Sequence, residues 1–548
     1  MPFAITQSCC SDASCVEVCP VDCIHPTPGE PDFGTTDILY VDPRSCIDCG
    51  ACADACPASA IKPIEILRGG EAVFAEVNAA YYEQRPEREV AKQQTHARVR
   101  PGVPTGLRVA VVGTGPAATY TARELLAASD AHVSFFDRLP VPGGLLRGGV
   151  APDHPETKRV QDTFGWTYDH PRARLFMNVE VGRHLSHEEL LEHHDAVVYG
   201  IGAPEDRRLG IVGEDLEGVH GSTEVVSWYN GDPDVPGDAV GVQGARVFVV
   251  GNGNVALDVA RLLLSDPGRL AGTEIADHAL EALRRADVRE VVLLGRRGPE
   301  HAAFTRPELL TLPDGIELCV EDDEATAAAL AAPEPGTNAA LLAGLPRVRS
   351  DWTAEPGGGV GPRAADGVAQ GKRLVLAFGR RVTAAHGDGA LTSVTVAGPD
   401  GEVEAPTQLL VSSIGRRGRM VPGLPFDDER GLIPNHEGRV VDPATGEPLP
   451  GAYVVGWAKR GSTGGIGANR VCAGETVTTL LGDAADGRLR SPSRSERALS
   501  RLVQRRQPQL VRGAGVRAIE RREIDAGLAS GRPRVKLTTV EDLLAAGR

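Results

Sequence analysis

Two stretches of the chain share one pattern of hydrophobic and polar positions. The first runs nearly unbroken apolar from Leu107 to Val112, passes through Gly113-Thr-Gly115-Pro-Ala-Ala118, and turns helical to about Ala128. It ends in a second apolar run, His132-Val-Ser-Phe-Phe-Asp137. The second reads Ala245–Val250, then Gly251-Asn252-Gly253-Asn254-Val255-Ala256, a helical segment, and Glu290-Val-Val-Leu-Leu-Gly295. Continuous apolar runs followed by glycine turns and helices predict buried parallel strands in two doubly wound α/β units. The first 62 residues lack such runs. Beyond them, charged Glu83–Lys92 and the Pro/Gly-rich Arg100–Gly106 predict a linker over 63–106, helical and then extended. Residues 324–371, rich in Ala, Pro and Gly, predict a shortened or loosened periphery. No apolar run approaches 18 residues, and Met1–Gln7 has no basic segment leading into an apolar core. The expectation is a cytoplasmic protein with no membrane partner.

A length of 548 residues allows three or four domains, and 65 glycines with only 4% aromatics suit nucleotide-binding folds. The net charge of −16 argues against nucleic acid as a partner. Half of that charge sits in residues 1–61, where nine acidic residues face the single Arg44. Nine of the 11 cysteines also precede residue 57, which points to metal ligation rather than disulfides.

Cys46-x₂-Cys49-x₂-Cys52-x₃-Cys56-Pro57 is the iron–sulfur spacing in which three cysteines wrap one cubane and the fourth reaches another. Zinc knuckles would need two C-x₂-C pairs and no C-P. Upstream, Cys9-x₂-Asp12-x₂-Cys15-x₃-Cys19-Pro20 repeats the spacing with a carboxylate in the second place. Crossed ligation gives cluster two, a [4Fe–4S] centre, to Cys46, Cys49, Cys52 and Cys19. Cluster one takes Cys9, Cys15 and Cys56, with Asp12 at the fourth corner. Because a carboxylate is a poorer ligand than thiolate for such iron, cluster one is [3Fe–4S] or an Asp-ligated [4Fe–4S]. Cys10 could replace Cys9 in a slipped register, and Cys23 is expected to be a buried non-ligand. With Cys-Pro-Val-Asp-Cys-Ile and Asp-Cys-Gly-Ala-Cys, the segment resembles bacterial seven- or eight-iron ferredoxins.

At Gly113 and Gly115 a dinucleotide pyrophosphate can approach a helix N-terminus, and Asp137 can hold a ribose hydroxyl pair. The second unit, at Gly251–Val255, offers the same approach, but its next strand ends in Arg296-Arg297, a pair suited to a 2′-phosphate. NADP(H) rather than NAD(H) is therefore expected. Gly143–Pro155, the Asn178–Gly182 segment, Gly295–Thr305 and Gly456-Trp457-Ala-Lys-Arg-Gly-Ser-Thr-Gly464-Gly465-Ile466-Gly467 resemble the adrenodoxin-reductase family of ferredoxin–NADP⁺ reductases. That resemblance implies FAD contacts at Ala118, Asp137, Leu145, Val181, Trp457, Gly464, Gly465 and Ile466. It implies NADP contacts at Arg207 and Glu308, and first-contact tuning or proton-relay roles for Trp457, His154 and Glu308. Thr311 stands where the family carries a second acid.

The fold expectation is therefore two Rossmann-like units of the flavin disulfide-reductase type, preceded by a small α+β ferredoxin domain. The expected division is ferredoxin 1–62, FAD 107–206 and 410–490, NADP 207–409, and a C-terminal extension 491–548 with no visible chemistry. The resemblance implies hydride transfer from NADPH to FAD, then single electrons through the clusters to an external redox protein, such as a P450-type cytochrome or another ferredoxin. A glutamate-synthase-like electron-input subunit and a non-turnover redox sensor are the alternatives.

Overall fold

The computed structural model describes residues 2–85, 101–313, 315–334, 337–354 and 371–548. The first glycine-turn unit builds a seven-stranded sheet with strand order 435–436, 439–441, 448–454, 196–199, 108–112, 132–137, 173–177. Its central strands are parallel and share one edge, since Val112 lies between Phe136 and Tyr199. The glycine turn, Asp137 and Gly200 therefore meet at the carboxyl end of the sheet, where open α/β folds bind ligands.

The second unit is a seven-stranded all-parallel sheet, ordered 219–221, 410–412, 246–250, 290–294, 372–377, 316–321, 347–348. A three-stranded antiparallel sheet over 381–406 packs beside it through Val394, Val396 and Phe248. The chain crosses between the units twice, at Glu205–Asp206 and Arg416–Arg417, and the two crossings pair antiparallel.

Three expected boundaries shift. Leu410–Ser412 belongs to the NADP-side sheet, paired with Phe248–Val250, so the return crossing follows Ser412 rather than residue 409. Residues 324–334 and 337–354 are packed, not loosened: helices Glu324–Ala329 and Asn338–Ala343 and edge strand Arg347–Val348 cover the sheet, with Leu330, Leu342 and Trp352 buried. The rest of the 324–371 stretch lies largely outside the described residues.

The third shift concerns the linker. The N-terminal module pairs Phe3–Ile5 with Ile61–Pro63 and Ile24–His25 with Tyr40–Val41. Helix Phe74–Glu83, expected in the linker, completes this module. Asn78, 1% exposed, accepts the amide hydrogens of Ile5 and Val41 and donates to the carbonyls of Ile5 and Phe74. One side chain thus satisfies four bonds, the full capacity of an amide. The Tyr82 hydroxyl reaches the Cys23 and Tyr40 carbonyls, and Tyr81 stacks on Tyr40 at 4.0 Å. The remaining linker expectation, 86–100, lies outside the described residues.

The C-terminal extension also carries more than expected. Glu523, fully buried, forms a two-pronged ion pair with Arg147 of the flavin-side unit (2.8 and 2.5 Å). Lys536 reaches Glu274 (3.1 Å) and the Asn230 carbonyl (3.1 Å) of the NADP-side unit. The extension is a strap across both nucleotide units. No helix among the described residues is long and apolar enough to cross a membrane.

Candidate functional site

The cysteines of the N-terminal module gather in two neighbouring groups, with Cys10 close to the first, Cys23 close to the second, and Cys15 near enough to Cys52 to link them. Cys9, Cys15, Cys56 and the Asp12 carboxylate act on one another electrostatically, as do Cys19, Cys46, Cys49 and Cys52. Burial pushes the Cys9 and Cys52 thiols up to about 11, and Cys15 further still. In such surroundings iron must displace protons that solvent does not help remove. Backbone amides of Ser11, Cys23 and Ala60 donate to the sulfurs of Cys9, Cys19 and Cys56 at 3.3–3.4 Å. Amide-to-sulfur bonds of this kind tune cluster thiolates, so the residues fit iron–sulfur groups. Cys23 lies with its sulfur 3.5 Å from that of Cys19.

Asp12 has a second engagement. Its carboxylate accepts the Ser14 amide (3.1 Å) and hydroxyl (2.6 Å) and lies 4.0 Å from the Arg470 guanidinium.

In the flavin-side turn, Gly113 has φ +102°, and a Cβ there would lie 2.4 Å from the Gly200 carbonyl. Gly115 opens helix Pro116–Ala128 with no side-chain cap, which leaves first-turn amides for an anion. Ala118 packs against Gly200, the close helix–strand approach of the third motif position. Asp137 accepts the Thr114 hydroxyl at 2.6 Å and the Leu139 amide at 3.0 Å, and burial raises its pKa. Leu145 opens a short helix beside Gly144, whose Cβ would meet Gly115. Val181 packs in the second flavin-side core. The Trp457 indole N–H donates to the carbonyls of Thr463 (3.1 Å) and Gly464 (3.2 Å), fastening the loop through Gly465, which faces open space, to Ile466. A backbone cradle with open space before it fits a dinucleotide.

The NADP-side turn is built alike. Gly251 (φ +120°) presses on the Ser413 carbonyl, and Gly253 faces open space at the start of helix Asn254–Leu264. Asn254 bonds the amide and hydroxyl of Thr305 (2.7 and 3.1 Å), and Asn252 accepts the Ala303 amide (3.4 Å). Val255 follows, half-buried. Arg296 and Arg297 lie exposed beyond the strand end, and neither pairs with an acid among the described residues. Arg207 is exposed at the crossing ribbon.

His154 and Glu308 come together through Arg261, which the sequence reading missed. This buried guanidinium bonds Asp153 (2.7 and 3.1 Å), Asp258 (2.7 Å), Glu308 (3.3 Å) and the Nε2 of His154 (2.5 Å). Since Arg only donates, that imidazole nitrogen is an acceptor. Burial, and then the Asp258 charge, raise the Glu308 pKa. The spacing of Asp258 and Arg261 on one helix face was the available signal. Trp457 stands apart: no hydrogen bond, ion pair or ring contact among the described residues joins it to His154 or Glu308.

The ferredoxin module lies directly against both units. The Gly467 amide, one residue past Ile466, donates to the Cys10 carbonyl at 2.7 Å. Arg470, 4% exposed, donates to the Asp12 carbonyl (2.8 Å), the Ser14 hydroxyl (3.1 Å) and Glu17 (2.8 Å). On the NADP side, the Arg306 amide donates to Asp37 (2.9 Å). Where the three units meet, a cavity of about 300 Å³ is lined by Gln7, Ser8, His154, Glu156, Arg261 and Thr311 among others.

Residues 39–62 match the 4Fe-4S binding domain family. A probable ferredoxin/ferredoxin–NADP reductase of Mycobacterium tuberculosis is 48% identical, with 100% of this chain and 95% of that protein covered. The chain belongs to the ferredoxin/ferredoxin–NADP reductase family. Within the reductase portion, the NADPH-ferredoxin reductase FprA of M. tuberculosis is 41% identical over 80% of this chain and 98% of its own length. The solved structure of that FprA in complex with NADPH superposes with a TM-score of 0.70 at 39% identity, covering 81% of this chain and 99% of the other. This oxidoreductase thus joins an iron–sulfur ferredoxin domain to an FprA-like flavoprotein reductase, and the full-length relationship decides against the input-subunit and sensor alternatives.

Proposed function

We propose that this reductase draws electrons from NADPH and passes them, through its own docked ferredoxin module, to an external redox protein such as a P450-type cytochrome. The supporting observation is the contact of Gly467 and Arg470 with the Cys9–Cys15 loop, because that loop carries the residues proposed to ligate cluster one and lies beside the loop proposed to hold the flavin. Bound FAD would take a hydride from NADPH and, with the clusters, release its two electrons singly.

The chain's own residues supply position. Asp137, the amides at Gly115 and the Gly464–Ile466 loop are proposed to hold FAD, and Arg207, Arg296, Arg297 and the Gly251–Val255 turn to hold NADP(H). Arg261 holds His154 and Glu308 on one guanidinium, and of the two the raised Glu308 carboxyl is proposed as the group that carries a proton. Cys19, Cys46, Cys49 and Cys52 are proposed to hold a [4Fe–4S] cluster, and Cys9, Cys15 and Cys56 to hold a [3Fe–4S] cluster. The three-iron form is favoured because both Asp12 oxygens are engaged by Ser14. Anaerobic electron paramagnetic resonance tests this on the holoprotein. A three-iron signal is expected as isolated, and a reduced four-iron signal after NADPH. Clusters left oxidised by NADPH would refute the relay.

A further inference from the structure

The two cysteine loops share a spacing but not an environment. In the first loop Cys10, Asp12, Ala13 and Cys15 are buried, closed over by Gly467 and Arg470. In the second, Cys49 is exposed and Ile47 is 57% exposed, with the module already docked. Val18 and Val21, at 43% and 38%, flank Cys19, the remaining ligand proposed for cluster two. Three of the ten exposed large hydrophobic residues described in the chain thus fall within two positions of Cys19 or Cys46. Asp22 and Asp48, next in sequence to Val21 and Ile47, and Asp54 of the same cysteine loop are exposed as well.

We propose that this face, Val18–Val21–Ile47 rimmed by carboxylates, is the port through which electrons leave, and that its partner is a redox protein with a basic face around its own exposed cofactor edge. The inference rests on the relay reading above and adds where the partner sits and what its surface carries. The chemistry follows from the two kinds of side chain present. Apolar residues grouped on a surface mark a docking site when polar groups rim them. Carboxylates around the rim steer a cationic partner and set its orientation, contributing more to encounter than to residence. A small contact of this kind suits a carrier that must leave after one electron. The covered loop cannot serve, because the reductase already occupies its surface. Each encounter moves one electron to one ferric haem, making it ferrous, with no proton transferred. One NADPH, oxidised to NADP⁺ and H⁺, supplies two encounters.

The test uses full-length holoprotein and cytochrome c, a basic haem protein. In Val21→Lys/Ile47→Lys, affinity for oxidised cytochrome c, titrated calorimetrically without NADPH at low salt, should fall about tenfold or more. In turnover, KM for cytochrome c should rise by a similar factor while kcat stays within about twofold. Val21→Ser/Ile47→Ser, which removes apolar surface without adding charge, should shift both by about two- to threefold. Leu528→Lys, on an exposed leucine of the C-terminal extension, should shift neither. Iron and sulfide content, with the extent of cluster reduction by NADPH, shows that each variant is loaded. If Ile47→Lys lowers loading, Val21→Lys alone, outside the Cys46–Cys56 loop, carries the measurement. Unchanged affinity in loaded variants, or an equal loss in Leu528→Lys, overturns the port. Failure of NADPH to reduce the clusters of the unaltered protein would instead overturn the relay and leave the binding result standing.

Discussion

Two of the junctions between the three units, the C-terminal strap and the ferredoxin dock, are made from different materials. The C-terminal strap joins the nucleotide units through buried charge: Arg147 with Glu523, and Lys158, Lys536 and Arg534 around Glu274. The ferredoxin junction uses one buried guanidinium, a backbone bond from Gly467, and the Asp37–Arg306 contact. A cluster of buried ions is costly to open at any single point, because each partner left behind is an uncompensated charge. The ferredoxin junction has a single buried cation, Arg470, set beside Asp12 and Glu17, within an apolar core shared with the flavin-side unit, and it lies beside the loops that carry the redox groups. The strap fixes the frame of the nucleotide sites, while the dock sets the distance between electron donor and acceptor. Loss of the first should be read in stability and loss of the second in rate.

The largest effect is expected at the strap. Glu523→Gln leaves Arg147 buried beside a neutral amide and should cost about 3–5 kcal/mol of stability, measured by chemical denaturation of holoprotein. Arg147 holds the Glu523 carboxyl below its usual range despite burial, and Lys536 and Lys158 do the same for Glu274. For carboxyls depressed in the folded state, the stabilisation is complete above the unfolded value near 4.5 and drains away as pH falls below it. The gap between parent and Glu523→Gln should therefore narrow on acidification below about pH 4.5. A gap that widens there would mean that the pair does not act as an ion pair.

Next comes the dock. Arg470→Glu places a carboxylate against Asp12 and Glu17, and like charges so placed cost several kcal/mol. NADPH-driven cluster reduction, followed by stopped flow, should slow roughly 100-fold, a loss of about 2.8 kcal/mol of docking. Reduction of a small dye at the flavin should be unchanged and the melting temperature nearly so. Slowed dye reduction would show that Arg470 supports the flavin half itself, which would break the division between the two junctions.

What the sequence disclosed divides along the same line. Features written in consecutive residues were legible: the two glycine turns, the acid ending one strand and the arginine pair ending the other, and the two cysteine runs. Features made by residues far apart were not. Asn78 looks like a polar linker residue, yet its burial depends on strands some 40 and 70 positions away. Glu523 lies in Arg-Ala-Ile-Glu-Arg-Arg-Glu-Ile-Asp, which reads as a solvated helix until Arg147 meets it. Leu409-Leu-Val-Ser is apolar enough for either sheet, so the crossing was placed three residues early. Arg470 and Gly467 follow a recognisable flavin loop, and nothing local reveals that the ferredoxin lies across them.

The finest distinction lies at Gly467 itself. Its φ of −66° suits any residue, so a side chain there carries no backbone strain. A Cβ, however, would lie 2.0 Å from the Ser11 carbonyl oxygen and 2.4 Å from the Asp12 amide nitrogen, both backbone atoms of the first cysteine loop. Gly467→Ala therefore pushes the loop away without altering any charge. Overpacking of this kind costs about 1–3 kcal/mol, while reduced freedom of the unfolded chain returns about 0.4–1 kcal/mol. Cluster reduction by NADPH should slow about tenfold while the melting temperature shifts by no more than a few degrees. Raising salt should leave this defect unchanged, because the obstruction is steric, whereas Arg470→Glu should partly recover as its repulsion is screened. If the two variants respond alike to salt, the dock is governed by charge alone, and the close passage of the loop over Gly467 has no part in setting the transfer rate.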